Sequence, residues 1–182
     1  MNTEVLDIQK DLIEKSKAGN SKAQQQLYLQ YAKAMYNICR RMTNNNTEAE
    51  DILQDAFSDA FYRLESFRYE STFGAWLKRI VINHCINHLK KRKADLLPMN
   101  DLSMFDNRQE EIQEDEDTKF NAARILKAFE QLPQGYRVIF SLYLLEGYDH
   151  TEISEILGIS ESTSKSQFLR AKQKIRDLLT HS

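Results

Sequence analysis

The spacing of the apolar residues restricts the fold of this chain more than any other feature of its sequence. In residues 48–67 these residues recur every three or four positions, as Ala49, Ile52, Leu53, Ala56, Phe57, Ala60, Phe61 and Leu64. Such spacing places all of them on one side of an α-helix. No stretch of the chain alternates steadily between apolar and polar residues, and there are only 5 Gly and 2 Pro. The sequence therefore predicts an all-α fold.

The predicted helices fall into two groups that are separated by an acidic segment. Turn-forming and helix-capping residues mark the ends of the helices within each group. In the first group, Ser21 is the predicted cap of the second helix, and Thr47 with Glu50 is the predicted capping box of the third. The predicted helices lie at 6–17, 22–42, 48–67, 73–93, 120–132, 136–147, 150–157 and 161–179. We expect two small helical domains, residues 1–94 and 118–182, joined by a flexible acidic linker at 95–117.

Residues 73–93 are predicted to form a helix with a strongly basic exposed side. They contain six cations and no Asp or Glu. At 100° per residue, one side of this helix is apolar and carries Leu77, Val81, Ile82, Cys85, Ile86 and Leu89. The opposite side carries Trp76, Arg79, Asn83, Asn87 and Lys90. Cations bind phosphates, amides reach base edges and an indole ring can stack, so this side suits nucleic acid. A solvated amphipathic helix would show the same pattern.

The charge of the chain is segregated, so its net value is a poor guide to function. Taken globally, a net charge of −2 argues against a nucleic-acid binder. Residues 73–94 carry six bases and no acids, which is a local balance of +6. Residues 95–117 carry nine acids and one base, Arg108, which is a balance of −8. The average of these two blocks hides a basic surface beside an acidic segment.

The most specific motif lies at 149–176, where two predicted helices are separated by a tight turn at Gly158. Asp149 and Glu152 form a predicted capping box for the first helix, and Ser160 is the predicted cap of the second. The second helix is predicted to bury Phe168, Leu169, Ile175 and Leu178. Its exposed side is predicted to carry Thr163, Lys165, Ser166, Gln167, Arg170 and Lys174. Small polar and cationic side chains of this kind can enter a major groove, which favours a DNA-binding helix-turn-helix over a hairpin for protein contacts.

Several other classes of protein are not indicated by the sequence. There is no phosphate-binding glycine loop and no plausible set of nucleophile and base, so we expect neither an enzyme nor a cofactor. His84 and His88 have metal-ligand spacing but no evident third ligand, and DNA contact or solvation explains them more simply. Cys39 and Cys85 are expected to be buried free thiols. The N-terminus resembles no signal peptide and no apolar run is long enough to span a membrane, so the expected location is the cytoplasm.

Taken together, these motifs resemble the sigma-70 family of RNA polymerase sigma factors, in its small extracytoplasmic-function (ECF) group. The stretch AEDILQDAFSDAFYRL resembles region 2.2 of the family, and STFGAWLKRIVINHCINHLKKRK resembles regions 2.3 and 2.4. The stretch from Leu126 to Leu179 is similar to region 4. These stretches occur in the order of the family, with an acidic linker between regions 2 and 4, and the resemblance covers nearly the whole chain.

The resemblance implies partners and a role for each surface. Asp51, Gln54 and Asp55 match the surface that binds the coiled coil of the polymerase β′ clamp, and the β flap is a further expected partner. The basic helix matches the reader of the −10 promoter element, which implies DNA contacts by Trp76, Arg79, Asn83, Asn87, Lys90 and Lys91. Loop 65–72 corresponds to the pocket that receives a base flipped out of the non-template strand. Trp76 is equally compatible with a packing role.

Region 4 implies recognition of the −35 element by the exposed side of the last helix. Two residues depart from the common family pattern: Ser164 replaces an apolar residue, and Gln167 replaces an Arg. Because Arg favours guanine and Gln favours adenine, the second change leaves the promoter sequence open. The group is usually controlled by an anti-sigma factor, which is therefore an expected partner. The alternative is a self-sufficient DNA-binding regulator with a helical sensory domain, which would bind promoters without polymerase.

Overall fold

The computed structural model describes residues 3–96 and 122–180, with side-chain detail at 9–92 and 123–180. The described residues form α-helices, a 3-10 turn at Leu64–Ser66 and a π-helical segment at Ser141–Leu145, and they contain no strand. The α-helices are α1 (Thr3–Lys17), α2 (Ser21–Thr43), α3 (Asn46–Tyr62), α4 (Phe73–Leu96), α5 (Ala122–Glu130), α6 (Gln134–Phe140), α7 (His150–Leu157) and α8 (Glu161–Thr180). This confirms the predicted all-α fold class. The predicted acidic linker at 95–117 lies outside the described residues except for its first two.

The chain divides into two compact units, residues 1–88 and 89–182, and the division falls within α4. Each unit has helices that pack against one another: α1, α2 and α3 in the first, and α5 to α8 in the second. Within the described ranges, no helix combines the length and the apolar character needed to cross a membrane.

Two helices of the first unit begin at asparagine caps that the sequence analysis did not identify. Asn20 caps α2 and Asn45 caps α3; each side chain accepts a hydrogen bond from the backbone N–H three residues later, at 3.1 and 3.2 Å. The predicted caps at Ser21 and Thr47 are therefore wrong. Asn, Ser and Thr have similar capping energies, so the path of the chain decides which of several neighbouring candidates is used.

The apolar side of α3, and that of α4 up to Ile86, form much of the core of the first unit. Ile52, Leu53 and Phe57 on α3 are between 3% and 6% exposed. On α4, every residue that the sequence placed on the apolar side is at most 4% exposed: Leu77, Val81, Ile82, Cys85, Ile86 and Leu89. Cys39 and Cys85 are both buried and free, as predicted. Burial of this kind contributes about 1.5–3 kcal/mol per large side chain. It also fixes which side of each helix faces solvent.

The start of α4 packs closely against α2. A Cβ atom at Gly74 would lie 3.0 Å from Cε1 of Tyr31, which is closer than side chains normally approach. The ring of Tyr31 also packs edge-on against Phe73, with centroids 5.2 Å apart. Glycine at position 74 therefore allows the N-terminal turn of α4 to rest on α2, and this sets the direction in which the basic helix leaves loop 65–72.

One buried cluster in the second unit joins α5 and the turn after it to the C-terminal half of α8. It is built from Ala128, Phe129, Leu132, Ala171, Ile175 and Leu179, which are between 0% and 8% exposed. The partly buried Tyr136, Phe140 and Leu178 pack against this cluster. Arg137 of α6 is buried as well. Its guanidinium donates a hydrogen bond of 2.9 Å to the carbonyl of Leu132, which lies in the turn that follows α5. That contact links α6 to the connection that precedes it.

The α7–α8 pair has the local geometry that the sequence predicts for a helix-turn-helix. Asp149 and Glu152 form the capping box at the start of α7, with hydrogen bonds of 2.8 Å in both directions. Gly158 ends α7 in the left-handed conformation, with φ of 69°. Ser160 caps α8 by accepting a hydrogen bond of 3.1 Å from the backbone N–H of Thr163. Three consecutive local signals therefore place both ends of the turn.

Candidate nucleic-acid and protein interfaces

The outer side of α3 is acidic and polar. Asp51, Gln54 and Asp55 are all exposed, while Ile52 and Leu53 between them are buried. The structure therefore brings the three predicted core-binding residues together on one solvent-facing stripe. An exposed stripe of two carboxylates and an amide, held by a rigid buried side, suits a basic protein partner.

The exposed side of α4 carries the basic and amide residues that the sequence placed there. Arg79, Asn83, Asn87, Lys90 and Lys91 are all exposed. They repeat at intervals of three and four, so the first four form a continuous stripe along the helix. Because the opposite side of α4 is buried, the stripe is held by the core and its direction is fixed. We call this surface the α4 stripe.

The two histidines of α4 bridge to carboxylates of α3. Nε2 of His84 lies 2.9 Å from Oδ2 of Asp59, and Nε2 of His88 lies 3.3 Å from Oε2 of Glu48. The hydrogen bond with His84, more than the neighbouring arginine, holds the pKa of Asp59 below its ordinary value. Both histidines were expected to contact DNA or solvent, and the structure instead places them in interhelical bridges. Among the described residues, no group of three or more candidate ligands could hold a metal ion.

Trp76, at the start of the α4 stripe, is partly buried in a cluster of aromatic rings. Its ring centroid lies 5.3 Å from that of Phe67 and 5.7 Å from that of Phe73. The sequence left its role open between packing and DNA contact. The structure supports a packing role, because the rings of loop 65–72 and of the first turn of α4 hold the indole in place.

Loop 65–72 is tied to α1 through Tyr69. The Tyr69 hydroxyl donates a hydrogen bond to the carboxylate of Glu14. The ammonium group of Lys17 lies 4.8 Å from the centroid of the Tyr69 ring and donates a hydrogen bond of 3.1 Å to the carbonyl of Phe67. Burial, followed by the Glu14 carboxylate, raises the pKa of Tyr69, and the same hydrogen bond lowers the pKa of Glu14. Both shifts favour the state in which Tyr69 is the donor.

A cavity of about 360 Å³ lies between α1 and loop 65–72. It is lined by Gln9, Lys10, Ile13, Phe67, Tyr69, Ser71, Thr72 and Phe73. Aromatic rings form part of its wall, and an amide, an ammonium group and two hydroxyls supply polar groups. Such a lining suits a planar heteroaromatic ring that carries hydrogen-bonding edges. We call this space the α1–loop cavity.

On α8, the structure corrects two expectations about exposure. Thr163, Lys165, Ser166, Arg170 and Lys174 are exposed or partly exposed, as predicted. Gln167 was predicted to be exposed but is fully buried, and Leu169 was predicted to be buried but is 39% exposed. The buried stripe of α8 instead consists of Ser164, Gln167, Ala171, Ile175 and Leu179. The helix packs on α5, α6 and α7 through this stripe. Two of its residues, Ser164 and Gln167, are polar, so the spacing of apolar residues alone does not indicate that they are buried.

Ser164 connects the two helices of the helix-turn-helix through His150. Its hydroxyl lies 2.9 Å from Nδ1 of His150, and the serine side chain is fully buried. The imidazole stacks on the ring of Tyr143 with centroids 4.5 Å apart, and it meets the edge of Phe168 at 5.7 Å. Burial, and secondly the positive charge of Lys165, lowers the pKa of His150. A neutral imidazole therefore joins α7 to α8 at Ser164, the position at which the sigma-70 pattern has an apolar residue.

The position of His150 predicts a pH-dependent stability. Protonation is less favourable in the folded state, so the contribution of His150 is complete above its ordinary pKa of 6.5 and is lost as the pH falls toward the lower folded value. Nearby charges on Lys165, Glu161 and Asp149 act on the same ring. We expect the melting temperature to fall less steeply between about pH 7.5 and pH 5.5 in His150→Phe than in the unmodified chain.

Thermal unfolding followed by circular dichroism at a series of pH values measures this difference. The bridging histidines of α4 are present in both proteins, so the comparison isolates His150. Equal pH dependence in the two proteins would contradict the assignment.

Sequence reasoning missed the residues that act over long separations in the chain. Glu14 and Tyr69 are 55 positions apart, and no local pattern connects them. His150 and Ser164 are 14 positions apart, and here a signal was available. A serine stands where the family pattern has an apolar residue, and a polar residue at a buried helical position needs a partner.

Two stretches of the chain match models of known protein families. Residues 27–94 match sigma-70 region 2, and residues 122–175 match sigma-70 region 4. The ECF RNA polymerase sigma factor SigW of Bacillus subtilis (strain 168) is 30% identical over 179 residues, which cover 93% of this chain and 96% of the relative.

Solved structures share the fold of this chain. CnrH, solved in complex with the cytosolic domain of CnrY, is 25% identical, with a TM-score of 0.55 over 94% of this chain and 96% of CnrH. The sigma factor RpoE of Bartonella quintana, solved with the anti-sigma factor NepR, is 22% identical, with a TM-score of 0.56 over 86% of this chain and 96% of RpoE. The second likeness concerns the fold alone.

Proposed function

The chain belongs to the sigma-70 family, in its ECF group, and from this premise we propose that it binds core RNA polymerase and directs it to promoters through two DNA-binding surfaces. The α4 stripe binds and opens the −10 element. The exposed side of α8 binds the −35 element. The observation that carries this proposal is the presence of both surfaces in one chain whose net charge is only −2.

The weak net charge fits a protein that does not bind promoters alone. Non-specific affinity for DNA comes mainly from cations that neutralise phosphates, and their effect is concentrated here on two helices. A self-sufficient regulator needs enough affinity for duplex DNA by itself. We propose that polymerase supplies the remaining contacts, and that binding to it positions the two surfaces on the promoter.

The acidic side of α3 is the proposed contact with polymerase. Asp51, Gln54 and Asp55 would face basic residues of the β′ clamp coiled coil, and the second unit would contact the β flap. We further propose an anti-sigma factor that covers these surfaces, with the protein acting in the cytoplasm where its polymerase is. CnrH and RpoE, which share this fold, were each solved bound to a partner chain.

The α1–loop cavity is the proposed site for the base flipped out of the non-template strand. Its volume of about 360 Å³ accommodates a nucleobase, and the accessible ring of its lining is that of Tyr69, since Phe67 and Phe73 are buried. Removing a base from the duplex costs a few kcal/mol, which stacking and hydrogen bonds in such a site offset. Trp76 supports the wall of loop 65–72 by packing against Phe67.

For the −35 element, we propose contacts by Thr163, Lys165, Ser166, Arg170 and Lys174. Gln167 is excluded from this set because its side chain is fully buried. Arginine and lysine bind guanine or phosphate, and small hydroxyl side chains bind either. The burial of Gln167 removes the preference for adenine that an exposed glutamine would have introduced at that position.

Run-off transcription tests the proposed function. The purified chain is added to core polymerase on a library of promoter fragments, and core polymerase alone provides the baseline. The proposal predicts transcripts from a subset of promoters that depend on the chain. Specific binding of the free chain to duplex promoters, without stimulation of core polymerase, would support the self-sufficient regulator instead.

Asn83→Ala is expected to slow promoter opening by about fivefold while leaving recruitment of the holoenzyme nearly unchanged. The exposed amide lies in the middle of the α4 stripe, where we propose that it contacts the non-template strand once the duplex has opened. Permanganate reactivity of unpaired thymines measures the rate of opening. Gln25→Ala, which removes an exposed amide from α2, is the matched control. Normal opening by Asn83→Ala would remove this residue from the proposed site.

A further inference from the structure

Tyr69 has a backbone conformation that its side chain does not favour. Its φ is 59°, in the left-handed region that bulky residues rarely occupy. A tyrosine there persists only where surrounding contacts hold it. The segment contains no glycine between Glu65 and Thr72, so the turn depends on those contacts.

The contacts that hold Tyr69 come mostly from α1. The hydroxyl donates to Glu14, and the ammonium groups of Lys10 and Lys17 lie 5.7 and 4.8 Å from the ring centroid. From within the loop, the ring of Phe67 packs against Tyr69 with centroids 4.8 Å apart. Lys17 also pairs with Glu14 at 3.1 Å, so one carboxylate links the tyrosine to the lysine. These groups form a single cluster, which we call the α1 latch.

The α1 latch lies at the wall of the α1–loop cavity. Lys10 and Tyr69 both line the cavity and both belong to the latch. If the hydrogen bond to Glu14 were lost, the left-handed residue would be free to relax to a more common conformation. The ring would then leave its position, and the wall of the cavity would change shape. The latch therefore controls whether the cavity has its form before any DNA binds.

We propose that Tyr69 and Glu14 are positioning residues, and that their hydrogen bond holds loop 65–72 in the shape that admits an unpaired nucleobase. This inference rests on the proposed function, in which the α1–loop cavity receives the flipped base. It assigns to α1, a helix outside the sigma-70 region 2 match, a part in selecting single-stranded DNA. The benefit is preorganisation, because a loop already in its bound form loses less freedom when DNA binds.

The test compares intact and abasic single strands in complex with the holoenzyme. Core polymerase with the full chain is titrated with single-stranded oligonucleotides that carry a −10 sequence selected by run-off transcription. In a series of oligonucleotides, each position in turn is made abasic. We expect one position at which loss of the base weakens binding about tenfold or more, since stacking of one base contributes that much. The ratio of the two dissociation constants measures occupancy of the cavity.

In Glu14→Met, which has no oxygen to accept from Tyr69, and in Tyr69→Phe, we expect this ratio to fall about fivefold, while binding of the abasic strand stays unchanged. Because both changes remove the same hydrogen bond, the double variant should lose no more than either single one. Asp11→Asn is the matched control: it removes one carboxylate from the same helix, but Asp11 pairs only with Lys15 at the surface among the contacts described. A role limited to stability would alter the melting temperature without altering the ratio.

The possible outcomes separate this inference from the proposed function. If no position is sensitive to loss of the base in the unmodified chain, the cavity does not receive a base, and this inference fails together with the proposed role of the cavity. If one position is sensitive and both variants keep the full ratio, the α1 latch is overturned while the proposed function stands. A lower ratio in the variants but not in Asp11→Asn supports the positioning role.

Discussion

The double variant Lys165→Ala, Arg170→Ala is expected to lose recognition of the −35 element while its binding to core polymerase remains intact. Both residues lie on the outward side of α8, and the side chain of Lys165 is 57% exposed. Each cation that contacts a base edge contributes about 1–3 kcal/mol, so two losses should weaken recognition about 100-fold. Footprinting of the upstream element on a selected promoter, in complex with polymerase, measures this effect.

The control for that variant carries the same change of charge elsewhere. Lys22→Ala, Lys33→Ala removes two exposed cations from α2, outside the proposed DNA-binding surfaces. If both double variants lose binding equally, the effect comes from overall charge. If the footprint of the −35 element survives in Lys165→Ala, Arg170→Ala, α8 does not recognise this element. In the unmodified chain Lys165 pairs with Glu161 at 2.5 Å, and DNA would compete for the same ammonium group.

Asp55→Arg is expected to weaken binding to core polymerase by about tenfold to 100-fold. The carboxylate is exposed in the centre of the acidic side of α3, and a reversed charge would face the basic residues of the proposed partner. Like charges brought together at an interface cost several kcal/mol, although solvent screens part of this at an exposed site. Fluorescence anisotropy of a labelled chain titrated with core polymerase measures the affinity.

Folding of Asp55→Arg should be nearly unaffected, because an exposed side chain outside the core rarely changes stability by more than about 0.5 kcal/mol. Asp11→Arg, a charge reversal at an exposed position of α1, is the matched control. Equal affinity of the unmodified chain and Asp55→Arg for polymerase would remove this residue from the proposed contact. Equal losses in both variants would point to long-range electrostatics instead.

The features that the sequence predicted well are those that depend on local periodicity. The apolar side of α4 and the exposed α4 stripe follow from spacings of three and four alone. The capping box at Asp149 and the left-handed Gly158 also follow from short-range chemistry, since each acts within one turn of helix. In these places the local preference and the packed structure agree.

The features that the sequence did not predict depend on competition or on distance. Where Asn20 and Ser21 stand side by side, either can cap a helix, and their energies differ by less than packing does. Gln167 was predicted to be exposed and Leu169 to be buried, because leucine is the more hydrophobic residue; the structure shows the reverse. Packing of α8 against three other helices decides the matter instead. Contacts such as Tyr69 with Glu14 arise only after the chain has folded.

The division of α8 into a buried and an outward side also bears on how such a chain can diversify. Ser164 and Gln167 are fully buried, so a change at either must be matched by a change in what surrounds it. Lys165 and Ser166, on the other side of the same turns, can vary with little effect on folding. If these residues contact the −35 element as proposed, promoter preference can drift through single substitutions while the domain persists. A duplicated gene could acquire a separate set of target genes in this way.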